Sequence, residues 1–233
     1  VVAAGVAFAG GLFVSHQLRL PLIKSGICLV IGALAVWTGA KLWYQLAWWV
    51  SSGQPISNPD FGWFSAGGGS LYGGLILGIL IAGTVARMLR VDMARLADAS
   101  SVSFLLGVAV VRLGCWQVGC CFGVPTELPW GVKPDIGQPA WFFQIASNPF
   151  NAVQAPHRIH PTQLYELGAA LFTGMVASVS LIRKLPAGVA ASLAGASFTI
   201  ARWLILPFRQ YDLGGEFERS TYQVLYPLLI LVF

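Results

Sequence analysis

The chain has 233 residues, of which 56% are hydrophobic and only 10% charged, and its mean hydropathy is +0.71. A soluble domain carries about 25% charged residues, and one of this length has no interior large enough to hide so much apolar surface. A disordered chain, a nucleic-acid-binding domain and a small disulfide scaffold are excluded; what remains is an all-α integral membrane protein, because the apolar stretches are long and do not alternate as barrel strands do.

In chain order the apolar runs predict seven spans in a single transmembrane domain, 1–233. The first is 1–14, read as a span because it lacks a basic leader and a cleavage site. The second, 21–43, is followed by an interfacial stretch holding Trp48 and Trp49. A polar loop with Asn58, Pro59, Asp60 and the run Gly67 to Gly69 comes next, its glycines allowing a flexible or re-entrant backbone. The third span is 71–88, with Gly74 and Gly78 as a small-xxx-small pair. The fourth is 102–118. A proline-rich connection then runs to residue 159; its Trp141, Phe142 and Phe143, with Trp63 and Phe64 of the earlier loop, suit an interfacial belt or a docked partner. The fifth, sixth and seventh spans are 162–182, 187–207 and 224–233, the last too short to cross unless it starts near Tyr222 or continues onward.

The net charge is +5 and the pI about 9.2, yet the basic residues sit in short loops, where they set topology and meet anionic headgroups. Connections 1–2, 3–4 and 5–6 carry Arg19, Lys24, Arg87, Arg90, Arg95, Arg183 and Lys184 against Asp92 and Asp98. The other three carry Lys133, Arg158, Arg209 and Arg219 against six acids. The positive-inside rule then predicts the N-terminus outside and the C-terminus cytoplasmic. The outer loops fall at about 47–69, 120–161 and 209–222.

Lys41, Arg112, Glu166 and Arg202 lie within or at the edge of apolar runs. Each must face a partner or a polar cavity. A structural ion pair would account for Lys41 and Glu166. Arg112 and Arg202 together outnumber Glu166, and a guanidinium fork matches phosphate oxygens, so a phospholipid headgroup is the expected ligand. Arg112, Cys115 and Gly119 share one helix face, with Gly119, Gly123 and Pro125 ending the helix. The four cysteines, Cys28, Cys115, Cys120 and Cys121, include no C-x-x-C pair, so neither a structural zinc ion nor any other metal or cofactor is expected.

At these residues the chain resembles the prolipoprotein diacylglyceryl transferase family. Gly39-Ala-Lys-Leu-Trp-Tyr44 is similar to its second-helix element, and Tyr72-Gly-Gly-Leu75 stands where the family has His-Gly-Gly-Leu. Arg112 to Gly123 has the length of the family's Arg-x-Gly-Asn-Phe-x-Asn-Gly-Glu-x-x-Gly element, continued by Pro125-Thr and Leu128-Pro-Trp-Gly131. His160-Pro-Thr-Gln-Leu-Tyr-Glu166 is close to His-Pro-Ser-Gln-Leu-Tyr-Glu, and Arg202 with Phe208-Arg-Gln-Tyr-Asp212 resembles the sixth-helix Arg and the Phe-Arg-Gln-Pro-Asp after it.

The resemblance implies a multi-pass protein of the bacterial inner (plasma) membrane that moves the diacylglyceryl group of phosphatidylglycerol to the lipobox cysteine thiol of a lipoprotein precursor. A thioether forms and glycerol phosphate leaves. It also implies catalytic roles for Arg112, Arg202, Tyr72, Cys115 and Cys120. Substrate contacts would come from Gly73, Gly74, Gly119, Gly123, Cys121, His160, Gln163, Tyr165 and Glu166. The departures fall on the acid–base half. Tyr72 replaces His, Cys115 and Val118 replace two Asn, Cys120 replaces Glu, and Phe198 stands near a usual Tyr. Tyr, with a pKa of about 10, is a poor base at neutral pH, and His160 is an alternative. Two other readings stay open: a membrane enzyme using its own thiols, and a non-catalytic lipid-binding subunit with a partner in a larger complex.

Overall fold

The computed structural model describes residues 2–52, 69–147, 156–210 and 215–232. These contain eight α-helices: α1 (Val2–Gln17), α2 (Leu22–Ser52), α3 (Leu71–Met88), α4 (Met93–Val118), α5 (Pro139–Ser147), α6 (Thr162–Ile182), α7 (Val189–Ile205) and α8 (Gly215–Val232). A single 3₁₀ turn, Leu206–Phe208, extends α7. Among the described residues, five helical segments are long and apolar enough to cross a bilayer: those at 22–50, 71–88, 93–118, 162–182 and 189–208. Gly67 and Gly68 of the expected flexible or re-entrant glycine run, and the belt residues Trp63 and Phe64, lie outside the described residues.

Side-chain distribution is that of a membrane protein. Ile79, Leu80, Phe172 and Leu204 are exposed, whereas Ser103, Thr173, Ser180 and Thr199 are buried. Lipid is as apolar as leucine, so small and weakly polar residues go between helices and large apolar ones face outward. The hydroxyls of Ser103, Thr173 and Ser180 bond carbonyls three or four residues back, so their burial leaves no orphan. α4 is the central helix, packed on α1, α6 and α7; α2 pairs with α3, and α8 lies on α7.

Three short connections share one turn. Arg19, Arg90 and Lys184 adopt left-handed φ of 57°, 57° and 54°. The next residues, Leu20, Val91 and Leu185, donate to Ser15, Ala86 and Ser180, closing a six-residue ring at 2.9, 2.9 and 3.1 Å. This is the Schellman ending, with a cation beside the last carbonyls of the helix, where the dipole favours it. Pro or Asp follows each apolar residue and starts the next element.

Two helices begin earlier than their hydropathy suggested. α4 starts at Met93, with Asp92 accepting from the amides of Ala94 and Arg95 at 3.1 Å each. Asp98, counted above as a loop charge, is therefore buried inside α4, where it accepts from Gly188 and Ala191 at 2.8 Å and satisfies the N-terminus of α7. α8 starts at Gly215, not near Tyr222, because its first turns are polar. The connection from 119 to 161 holds α5 and a small core of Phe122, Ala140 and Ile159.

Candidate functional site

The carboxylate of Glu166, one turn into α6, is buried among three guanidiniums. Arg112 of α4 places Nε 2.5 Å from Oε2, an ion-pair contact without hydrogen-bond alignment. Arg202 of α7 donates to the same oxygen at 3.1 Å, and Arg209, just past the 3₁₀ turn, donates to Oε1 at 3.0 Å. Three separate elements thus converge on one acid. Counting only Arg112 and Arg202 against it, the group is formally positive by one.

An aromatic wall stands beside Arg202. Its Cζ lies 6.0 Å from the centre of the Tyr72 ring, within cation–π reach, and its Nε donates to the Tyr226 hydroxyl at 3.4 Å. Tyr72 packs against Tyr222 and Tyr226, which stack on each other at 5.3 Å. Tyr222 shares a 2.6 Å hydrogen bond with Ser70 at the start of α3. The Tyr72 hydroxyl is buried without a well-aligned hydrogen-bond partner among the described residues. Phe198 is buried in the core formed by α4, α6 and α7.

On the other side of Arg112 lie the thiols. Arg112 Nη1 donates toward Cys115 Sγ at 3.8 Å, one turn along α4. Gly119 ends the helix at φ 76°, and Cys121 itself adopts a left-handed φ of 57°, unusual for a residue with a side chain. That double turn brings the sulfurs of Cys115, Cys120 and Cys121 within 4.8 Å of one another. Hydrogen bonds from the Cys115 and Cys120 thiols, then the nearby Arg209 and Arg112 charges, hold the Cys121 thiol well below the usual range. Hydrogen bonding to Cys115 and Cys121 pushes Cys120 the opposite way.

The first turn of α6 fixes this loop from below. Thr162 Oγ1 donates to the Cys121 carbonyl at 2.8 Å, and Gln163 Nε2 to that of Cys120 at 2.7 Å. Gly123 sits where three backbone segments meet: its amide donates to His160, and an added Cβ would lie 2.6 Å from the carbonyls of both His160 and Phe208. His160 is buried against Phe208 and bonded to the Tyr165 hydroxyl at 3.2 Å, and burial lowers its pKa. Tyr165 also accepts from Trp130 at 2.9 Å.

Of the residues singled out by sequence, Arg112, Arg202, Glu166, Tyr72, Cys115, Cys120 and Cys121 gather in one connected group. Gln163, Gly119 and Gly123 hold the cysteine loop, while His160 and Tyr165 pair on its far side. Gly73 and Gly74 face α2, close against Trp43 and the Val36 carbonyl, and Lys41 is buried in α2. Sequence reasoning missed Arg209, Tyr222 and Tyr226. Arg209 was visible in the Phe-Arg-Gln motif, and the two tyrosines stand four residues apart on one helix face.

The prolipoprotein diacylglyceryl transferase family model matches residues 2–232. A phosphatidylglycerol–prolipoprotein diacylglyceryl transferase of Bifidobacterium adolescentis is 34% identical over 161 residues, 65% of this chain and 46% of that protein. One from Nostoc sp. is 32% identical over 166 residues, covering 71% and 53%. The second such enzyme of Streptomyces coelicolor is 28% identical over 225 residues, covering 82% and 67%. The chain spans about half the length of the first curated relatives it matches. Since the family match takes in the helices and the guanidinium group alike, the chain belongs to the prolipoprotein diacylglyceryl transferase family.

Proposed function

We propose that the protein transfers the diacylglyceryl group of a phosphatidylglycerol-type lipid to the cysteine thiol of a lipoprotein precursor. The observation that carries this reading is the convergence of Arg112 and Arg202 on a single oxygen of Glu166. A buried ion pair needs one cation per carboxylate; a second leaves positive charge that a phosphate offsets. When the bond between the glyceryl carbon and the phosphate oxygen breaks, the leaving glycerol phosphate gains a negative charge. Guanidiniums already fixed by Glu166 and the Tyr226 hydroxyl meet that charge without reorganising. Arg209 on the other carboxylate oxygen orients Glu166. Tyr72 holds Arg202 by its ring face and offers its hydroxyl to the headgroup.

In this reading the chain is one transmembrane domain of seven spans in the bacterial inner membrane. α1 and α8 supply the two spans beyond the five long apolar segments. The N-terminus is outside, the C-terminus is cytoplasmic, and the Gly119–His160 connection faces outward to receive the precursor. The test is transfer from radiolabelled phosphatidylglycerol to a lipobox peptide. Wild type converts both, and Arg112→Ala loses about 10²–10³-fold, the scale for removing one oxyanion-stabilising donor. No transfer by the folded wild type overturns the reading.

A further inference from the structure

A transferase also needs its acceptor thiol deprotonated. Among the described residues the charged groups beside the three-sulfur cluster are the guanidiniums of Arg112 and Arg209, which cannot take up a proton. We propose that Cys115, Cys120 and Cys121 form a three-sulfur site for a zinc-type cation, whose open fourth position takes the acceptor cysteine of the substrate. The inference rests on the proposed transferase reading and names the nucleophile-activating device of that same site.

Geometry comes first. Three sulfurs each about 2.3 Å from a common zinc ion stand about 3.8–4.0 Å apart. Those of Cys115, Cys120 and Cys121 lie within 4.8 Å of one another, so closing on an ion takes less than an ångström of side-chain movement. All three cysteines are free, and none is fully buried. Three protein ligands with an open position is the pattern of catalytic zinc sites, as opposed to the closed four-ligand pattern of structural ones.

The backbone is committed to this placement. C-x-x-C spacing is absent, but the left-handed residues Gly119 and Cys121 fold the chain back over the end of α4 and do the same work. A left-handed conformation is unfavourable for a residue with a side chain, so Cys121 needs outside support to hold it. The α6 side chains Thr162 and Gln163 hold it there through the carbonyls of Cys121 and Cys120. Charge agrees as well. Three thiolates around a dication make a unit of charge −1, and Arg112 already donates toward Cys115 Sγ, the outer contact that steadies a metal thiolate.

Arg112 reaches the sulfur cluster through Nη1 and Glu166 through Nε, so one guanidinium joins the proposed acceptor site to the group proposed to take the lipid phosphate. The acceptor thiol binds the ion and releases its proton to water, because a coordinated thiol is deprotonated outright. A sulfur lone pair then forms the S–C bond to the glyceryl carbon bearing the phosphate. The C–O bond breaks, its electron pair leaves on glycerol phosphate, and the neutral thioether dissociates from the ion. No group is oxidised or reduced.

The experiment uses the purified full chain, reduced, with zinc and with cobalt(II) as its coloured substitute. Expected are one zinc per chain and a sulfur-to-cobalt charge-transfer band. Both are lost in the Cys115→Ser/Cys120→Ser/Cys121→Ser variant and kept in Cys28→Ser, whose thiol is buried elsewhere in α2. A lipobox peptide shifts the cobalt band, and its Cys→Ser analogue does not. Chelation lowers transfer about 10²-fold or more, the scale of a lost acid–base device, and zinc restores it. Wild type without stoichiometric zinc, or equal binding by the triple variant, overturns the site. Zinc binding with transfer indifferent to chelation overturns thiol activation and leaves the transferase reading standing. A peptide-shifted cobalt band without transfer at any metal loading supports the site and removes the transferase reading.

Discussion

One carboxylate holding three guanidiniums makes the members of the group unequal. Removing Glu166 leaves buried cations facing one another, whereas removing Arg209, which is 20% exposed and alone on Oε1, leaves the acid still paired twice. Glu166→Gln is therefore expected to cost about 3–5 kcal/mol, the range for breaking a buried pair, and Arg209→Gln clearly less. Unfolding midpoints in one detergent rank the two, and a reversed order refutes the arrangement. His160 carries the pH dependence. Burial lowers its folded pKa below the unfolded value, about 6.5. Stability is then full above that value and falls as pH drops toward the folded pKa, where only the unfolded chain takes up the proton. His160→Gln should flatten this slope in pH-dependent unfolding. Arg112, Arg202 and Glu166 were legible in sequence because an ionisable group in an apolar run demands an explanation. That all three meet was not legible, since hydropathy carries no information about which faces of α4, α6 and α7 turn toward each other.

At the level of elements, the cysteine loop depends on how closely backbones approach. A Cβ at Gly123 would stand 2.6 Å from two carbonyl oxygens on different segments, and neither can rotate aside. Gly123→Ala should destabilise by about 1–3 kcal/mol, as overpacking does, and lower the proposed transfer by displacing Cys121. Gly114→Ala is the control. Its Cβ would meet nothing within 4 Å, so the helix should lose nothing. Thermal unfolding and transfer measured on both variants check the pair, and equal effects would sink the argument. Asp98 shows what hydropathy misreads. Its charge held back the start of the predicted fourth span to residue 102, yet inside α4 it accepts two amides from the start of α7. The polar first turns of α8 were missed for the same reason. α5 was hidden by prolines that read as loop, one of which, Pro139, occupies the first position of the helix, where its missing N–H costs nothing.

For the molecule as a whole, the charge asymmetry and the turn chemistry point the same way. Arg19, Arg90 and Lys184 each hold the left-handed position of a Schellman ending in connections α1–α2, α3–α4 and α6–α7. A glycine would take that position without strain. A cation there satisfies the helix dipole and also resists translocation, and the positive-inside rule turns that second property into an orientation. α4 takes in both Arg95 and Asp98, but Arg95 stays exposed in its first turn while Asp98 is buried on two amides of α7, so the acid and not the cation is withdrawn from the membrane surface. In the proposed orientation the Gly119–His160 connection, with its acids and its pinned cysteine loop, lies on the opposite face. Single cysteines at exposed Glu127 and exposed Arg183 test this, read as labelling above that of the parent chain. A membrane-impermeant maleimide should reach Glu127→Cys in intact spheroplasts and Arg183→Cys only after the membrane is opened. Labelling in the reverse order would put the sulfur cluster and the guanidinium group on the cytoplasmic side, away from the exported precursor proposed as the acceptor.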